Sequence, residues 1–297
     1  DGPIVVSDIP KKCLEQDVIL GIDEAGRGPV LGPMTYAAAY WATEDDEVMK
    51  SKGFQDSKTM TKESRKAIYD NMKQTAELGF VVRVLHASEI SRNMLRKTPY
   101  NLNAMSHDAA MEMIWAVLDA GVKLKQVYID TVGIAESYKA KLDRVFQGKG
   151  ITFTVEKKAD SKFATCSGAS ILAKVTRDDL TDKWSFSEGK FYSPAHDDYG
   201  SGYPSDPKCK EWLKKNVQDQ VFCFPDFVRF SWGPAKIATQ EEGVKVQWEA
   251  DDEDEDDVQQ LKVSDFMMAG KKSKKRPRTE YFERRGLSIV TDFGCSD

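Results

Sequence analysis

Histidine is scarce in this chain: His86, His107 and His196 are the only three among 297 residues. No H-E-x-x-H pair and no His–Cys cluster can be assembled from them, so any metal site has to be built from carboxylates. Cysteine is nearly as thin. Cys13, Cys166, Cys209, Cys223 and Cys295 are odd in number and far apart, with no C-x-x-C pair. That pattern argues against a disulfide framework or zinc knuckle and for a reducing, intracellular compartment. Long apolar runs are missing too: nothing approaches the roughly 18 residues of a membrane span, and no signal-peptide core follows the first residues. Nor does one sign of charge prevail. Against 43 Lys plus Arg stand 48 Asp plus Glu, a net of −5, and a mildly acidic total gives no hint of a nucleic-acid partner.

What is present suffices for a folded domain, with 40% hydrophobic residues over a length that can bury a core. The charge is unevenly spread. Residues 249–297 hold 9 basic and 13 acidic residues, leaving 34 and 35 to residues 1–248. Within that tail Glu249 to Asp257 is an almost unbroken acidic block, and KKSKKRPR at 271–278 a basic one. Blocks of like charge repel themselves and seldom fold alone. The expected organisation is a folded domain over residues 1–240 and a charged, largely extended tail over 241–297; the resemblance given below makes the first the catalytic domain and the second a partner-binding tail.

In the first 240 residues strand and helix patterns alternate. VILGI at 18–22, MTYAAAYW at 34–41, FVVRVLH at 80–86, QVYI at 126–129 and ITFTV at 151–155 read as strands. Helical spacing fits 61–77 behind Thr61, 101–120 behind Asn101, and 162–184. The pattern predicts an α/β domain with a mixed sheet.

The acids fall where such a sheet places chemistry. Asp23 and Glu24 follow VILGI, Asp130 follows QVYI, and Asp160 sits in KKADSK just before the 162–184 helix. Ligands of α/β sheets bind at strand ends, where rigid strands fix side chains around a shared crevice. Four converging carboxylates are costly unless divalent cations neutralise them, and oxygen donors alone select magnesium or manganese. Two such ions, roughly 4 Å apart, clamp the attacking and leaving oxygens of a phosphodiester displacement. Phosphate-type groups lie nearby. The turn Gly26-Arg27-Gly28 offers backbone N–H groups and a guanidinium. Ser57 and Lys58 precede a helix start, Lys174 and Arg177 share a helix face, and Tyr203 offers a ring in the glycine-rich loop DYGSGYPSDP.

Taken together, GIDEAGRGPVLGPM (21–34), DSKTMTKESR (56–65), YIDTVG (128–133), KKADSK (157–162), SGASILAKVTRD (167–178) and DYGSGYPSDP (198–207) resemble the type 2 ribonuclease H family, from about residue 18 to 232. VLGPM, the IDTVG form and FVRFSW look like its eukaryotic branch. The resemblance implies a ribonuclease H-like fold, a five-stranded mixed sheet flanked by helices, with a helical C-terminal part. It makes Asp23, Glu24, Asp130 and Asp160 the catalytic, metal-binding acids. Gly26, Arg27 and Gly28 become the reader of a ribose 2′-hydroxyl, and Tyr203 the ring stacking on the deoxyribose that follows. The implied activity is cleavage 5′ to ribonucleotides embedded in duplex DNA, and of RNA in RNA–DNA hybrids, leaving 5′-phosphate and 3′-hydroxyl ends. The implied roles are ribonucleotide removal from DNA and primer removal in replication. Accessory subunits B and C in a heterotrimer come with the resemblance. Cys166 and Gly168 stand where relatives usually carry apolar residues or alanine, which puts the local helix packing in question.

Two tail segments add expectations. Gln260 to Met267 is similar to a sliding-clamp-binding box, with Val263 and Met267 as imperfect matches, and the basic run at 271–278 reads as a nuclear localisation signal. Two other functions compete with the leading one: a DNA nuclease of the same fold, and a non-catalytic nuclear subunit that holds hybrids. The GRG turn with Tyr203 speaks against the first, because such a nuclease needs no 2′-hydroxyl reader. The second predicts undiminished function after Asp23→Asn or Asp130→Asn.

Overall fold

The stretch VILGIDEA is buried at seven of its eight positions, the mark of a strand covered on both faces. It is the hinge of the architecture. In the computed structural model, residues 4–53, 60–186, 198–217 and 224–244 are described. The strands are β1 (Ile4–Val6), β2 (Val18–Ala25), β3 (Met34–Ala42), β4 (Gly79–Leu85), β5 (Leu124–Asp130) and β6 (Thr152–Glu156). Between and after them come α1 (Lys11–Glu15), α2 (Asp46–Ser51), α3 (Lys62–Gln74), α4 (Ala87–Leu95), α5 (Leu102–Asp119), α6 (Ala135–Val145), α7 (Ala164–Asp182), α8 (Pro207–Asn216) and α9 (Gly233–Glu242).

The sheet order is β1-β4-β3-β2-β5-β6. β1, β4, β3 and β2 pair antiparallel, and β5 and β6 continue parallel from β2. The mixed α/β sheet is the expected one, but it has six strands, not five. The additional β1 is three exposed β-branched residues, Ile4, Val5 and Val6, laid on the free edge of β4. A run so short carries no period, and only the pairing partner makes it a strand.

Alternation along β2 divides the core. Val18, Leu20 and Ile22 face one layer, where α5 brings Met105, Ala109, Met113 and Val117. Ile19 faces the other, shared with Ala37, Ala39 and Trp41 of β3 and with Ile171, Leu172 and Val175 of α7. The contact of β2 with α7 is close: a Cβ on Gly21 would stand 2.2 Å from the Cys166 backbone nitrogen. α7 runs unbroken through Cys166 and Gly168, both buried. The expected caps form, with Thr61 accepting from Ser64 N at 3.2 Å and Asn101 from Ala104 N at 2.9 Å. A third apolar cluster joins Val30 and Leu31 to Trp212 and Leu213 of α8 and to Phe227 and Val228. It clamps the helical C-terminal part onto the loop that follows β2.

The compact unit ends at Val244. Tail residues 245–297, including Gln260–Met267 and the basic run, lie outside the described residues, as do Ser57 and Lys58. No helix among the described residues is long and apolar enough to cross a membrane.

Candidate active site

β2 runs on through its acids to Ala25, so Asp23 and Glu24 sit within the strand instead of after it. Period-two geometry then sends them to opposite faces. Asp23 is on the α7 side, buried, and takes a hydrogen bond from Ser170 of α7 and another from its neighbour's backbone, Glu24 N, at 2.8 Å. Glu24 is on the α5 side, where it acts electrostatically on Tyr36 and Tyr138, both buried in that layer. The last parallel pair between β2 and β5 is Ile22 with Ile129. One residue further on, each strand carries an aspartate, Asp23 and Asp130. Asp130 Oδ1 accepts from Thr131 N at 3.1 Å and from Ala159 N at 3.3 Å. That second bond ties the end of β5 to the short turn Ala159–Ser161, which holds buried Asp160.

The electrostatics record this gathering. Burial pushes the Asp23 carboxyl up to about 7, against the hydrogen bonds from Ser170 and Glu24 N, with Asp130 and Asp160 adding to the rise. Burial likewise lifts Glu24 to about 8, with Asp23 raising it further and Arg27 opposing. The Cys166 thiol is pushed up by burial and then by the same three aspartates, and it donates to Tyr128 O at 3.3 Å. It therefore stays a neutral thiol, not a thiolate ligand. Among the described residues no three Asp, Glu, His or Cys side chains stand close enough together to grip an ion as they are. Alternation along β2 also sets Glu24 on the face opposite Asp23. The donor chemistry nevertheless fits a hard divalent cation: carboxylate oxygens, mutually repelling, at the end of two rigid strands.

The Gly26-Arg27-Gly28 turn is stitched down by a residue that sequence patterns did not single out. Arg229 is wholly buried and donates from Nη2 to Gly26 O at 2.6 Å, from Nη1 to Arg27 O at 3.1 Å and from Nε to Gly32 O at 2.9 Å. Burial, helped by Arg177, brings its pKa down to about 9. Trp232 Nε1 donates to Gly28 O at 3.0 Å, and the Arg229 guanidinium lies 4.9 Å from the Trp232 ring centre. The available signal was an arginine inside the aromatic run FPDFVRFSW, because a charge surrounded by rings has to find buried acceptors. Arg27 itself turns inward, its Nη1 donating to Ser106 Oγ at 2.9 Å and its Nη2 to Asn103 Oδ1 on α5. Its side chain is thus committed to α5, leaving the backbone of the turn as the presenting surface.

Tyr203 meets this turn. A Cβ on Gly28 would stand 2.8 Å from the Tyr203 ring, so only glycine lets the ring lie there. The ring remains 45% exposed. Its loop is anchored by Val30 N donating to Gly202 O at 2.8 Å and by Asp206, which accepts from Ser201 N and caps α8 through Lys208 N. Arg177 of α7 reaches the same place, its Nε 3.0 Å from where a Cβ on Gly26 would be. Arg177 Nε and Nη2 are buried without a hydrogen-bond partner; Nε lies beside the turn, and Nη2 is 3.6 Å from where a Cβ on Gly202 would be. Lys174, one turn earlier on α7, is partly exposed. The structure therefore brings Asp23, Asp130 and Asp160 within electrostatic reach of one another, with Glu24 on the other face of β2 and still felt by Asp23 and Asp130, and sets the glycine turn against Arg177 and Tyr203.

Comparison with known proteins places the chain in a family. The family model for ribonuclease HII matches residues 20–235. The chain is 42% identical to the A subunit of ribonuclease H2 from Rattus norvegicus, over 96% of this chain and 94% of that protein. Among solved structures it is similar to ribonuclease H2 from Pyrococcus horikoshii OT3, with a TM-score of 0.62 and 28% identity over 75% of this chain and 98% of the other. It is also similar to the ribonuclease HII of a PCNA complex from Archaeoglobus fulgidus, with a TM-score of 0.59 and 25% identity over 79% of this chain and 99% of the other.

Proposed function

Because the chain belongs to the ribonuclease HII family and is a ribonuclease H acting on RNA–DNA hybrids, we propose that it also cuts 5′ to single ribonucleotides embedded in duplex DNA. The observation that carries this reading is the contact of the Tyr203 ring with Gly28, beside the acids of β2. It puts a stacking surface directly against the glycine turn. One ribose can then meet the turn while the next sugar meets the ring, a pairing that needs only one 2′-hydroxyl.

Each side chain has a part. Arg229 holds the turn in shape through its carbonyls, leaving its N–H groups to meet the hydroxyl. Arg177 and Lys174 of α7 give the site positive charge for a phosphate, a role that Ser57 and Lys58, outside the described residues, are proposed to share. Asp23, Glu24, Asp130 and Asp160 would hold two divalent cations, magnesium or manganese. Such ions supply neutralisation of the phosphate charge and activation of water. Attack at phosphorus with departure of the 3′ oxygen leaves a 3′-hydroxyl on the DNA side and a 5′-phosphate on the ribonucleotide.

Removal of ribonucleotides and of RNA primers from replicated DNA, in the nucleus, follows from that chemistry and from the basic run at 271–278. The relatives are named as one lettered component of ribonuclease H2, which supports assembly with accessory subunits B and C. The archaeal complex with PCNA supports a sliding clamp as a partner for Gln260–Met267. The test is cleavage of a duplex with one ribonucleotide by the chain, alone and with accessory subunits, with and without magnesium. Asp130→Asn is expected to lose cleavage by at least about a thousandfold while retaining duplex binding. Undiminished cleavage would overturn the reading in favour of another site.

A further inference from the structure

Ile134 is 71% exposed, the most exposed large apolar side chain among the described residues. A single such residue is ordinary on a protein surface, but its setting is not. It lies four positions past Asp130, at the tip of a ledge pinned on three sides. Thr131 N donates to Glu156 O at 3.0 Å, and the Ile134 carbonyl accepts from Tyr138 N at 3.0 Å. His107 Nε2 lies 3.4 Å from Val132 O, and its ring stacks on Tyr138 at 3.7 Å. The ledge also touches the glycine turn through one side chain. Asn103 accepts from Arg27 on its oxygen, while its nitrogen is 3.2 Å from where a Cβ on Gly133 would stand. Through Asn103 the ledge thus reaches the side chain of Arg27, whose backbone belongs to the turn that Tyr203 meets at Gly28.

We propose that Ile134 is an apolar contact for the sugar edge of the bound nucleic-acid strand, a second flank of the ribose-reading turn. The inference rests on the proposed cleavage reading. A turn that reads a 2′-hydroxyl has to approach from the minor groove, where the sugars present their edges. A rigid β-branched side chain on the rim then meets C–H groups and not phosphates, and being pinned already it loses little freedom on binding. The described residues leave this side chain mostly uncovered, free to be covered by a bound strand.

The experiment measures binding of a fluorescent duplex with one ribonucleotide to the full chain in the presence of a chelator, with cleavage in magnesium followed separately. Ile134→Ser is expected to weaken binding about tenfold, the effect of losing most of one buried aliphatic side chain. Ile134→Val should cost less than about threefold, and the remote exposed control Val48→Ser nothing. The dependence of binding on salt should not change, because no phosphate contact is lost. Melting midpoints should match the unaltered chain, since the side chain is exposed. Wild-type binding by Ile134→Ser and Ile134→Glu in a chain that cuts the duplex overturns this inference alone. Weakened binding by Ile134→Ser in a chain that does not cut overturns the cleavage reading alone, and absence of binding by the unaltered chain overturns both.

Discussion

Arg229 carries more of the site than its distance from the acids in sequence suggests. Three carbonyls of the loop after β2 end on one buried guanidinium, and no lysine can reach all three with a single ammonium group. Arg229→Met should therefore lower the stability of the fold by about 3 kcal/mol, the scale of stranding buried acceptors, and remove cleavage with it. Urea unfolding checks this, and an unaltered midpoint would mean that the turn keeps its own shape. The two acids of β2 make a second prediction at this scale. Their folded pKa values, about 7 for Asp23 and about 8 for Glu24, lie above the ordinary carboxylate values near 4. The folded state thus binds protons more tightly than the unfolded one. That stabilisation is whole below about pH 4, declines as pH rises and is lost above about pH 8. In the absence of divalent cations, the melting midpoint between about pH 5 and 8 should fall more steeply for the unaltered chain than for an Asp23→Asn, Glu24→Gln double variant. Parallel slopes would remove burial of these acids as the cause.

Among the elements, the pair β2 and α7 decides whether a site exists. Gly21 lets the two backbones touch, and α7 brings Ser170 to Asp23 and Arg177 to the turn. Gly21→Ala has no flexible neighbour to displace, because the obstructing atoms are the backbone of Thr165 and Cys166. It should destabilise the fold by about 2–4 kcal/mol and reduce soluble yield, measured by thermal unfolding. A wild-type melting curve would show that α7 can withdraw without cost.

This is also where the sequence was most and least legible. β2 and β3 announced themselves as apolar runs because both of their faces are buried, β4 by its alternating run, α3, α5 and α7 by helical spacing, and α3 and α5 also by their caps. β1 and the short helices α1 and α2 did not, having too few residues for a period to appear, and α4, α6, α8 and α9 were not singled out either. The acids were legible as types at strand ends. Their division between two faces followed only once β2 was seen to run through them to Ala25. Arg229 stayed hidden because its partners are backbone carbonyls some two hundred positions away, which leave no mark in residue identity.

For the molecule as a whole, net charge is a poor guide to the partner. The −5 total sums a cluster of acids at the site, opposing blocks in the tail and a basic rim that is small and local. On the proposed reading, specificity comes from shape: a glycine turn held by Arg229, with Tyr203 against one end and acids beside it. The most direct test is therefore a comparison of two duplexes identical except for one 2′-hydroxyl, incubated with the chain and accessory subunits in magnesium, with the products mapped at nucleotide resolution. The account predicts a single nick immediately 5′ to the ribonucleotide and no cut in the all-DNA duplex. Equal cleavage of both, or a nick placed without regard to that hydroxyl, would contradict it.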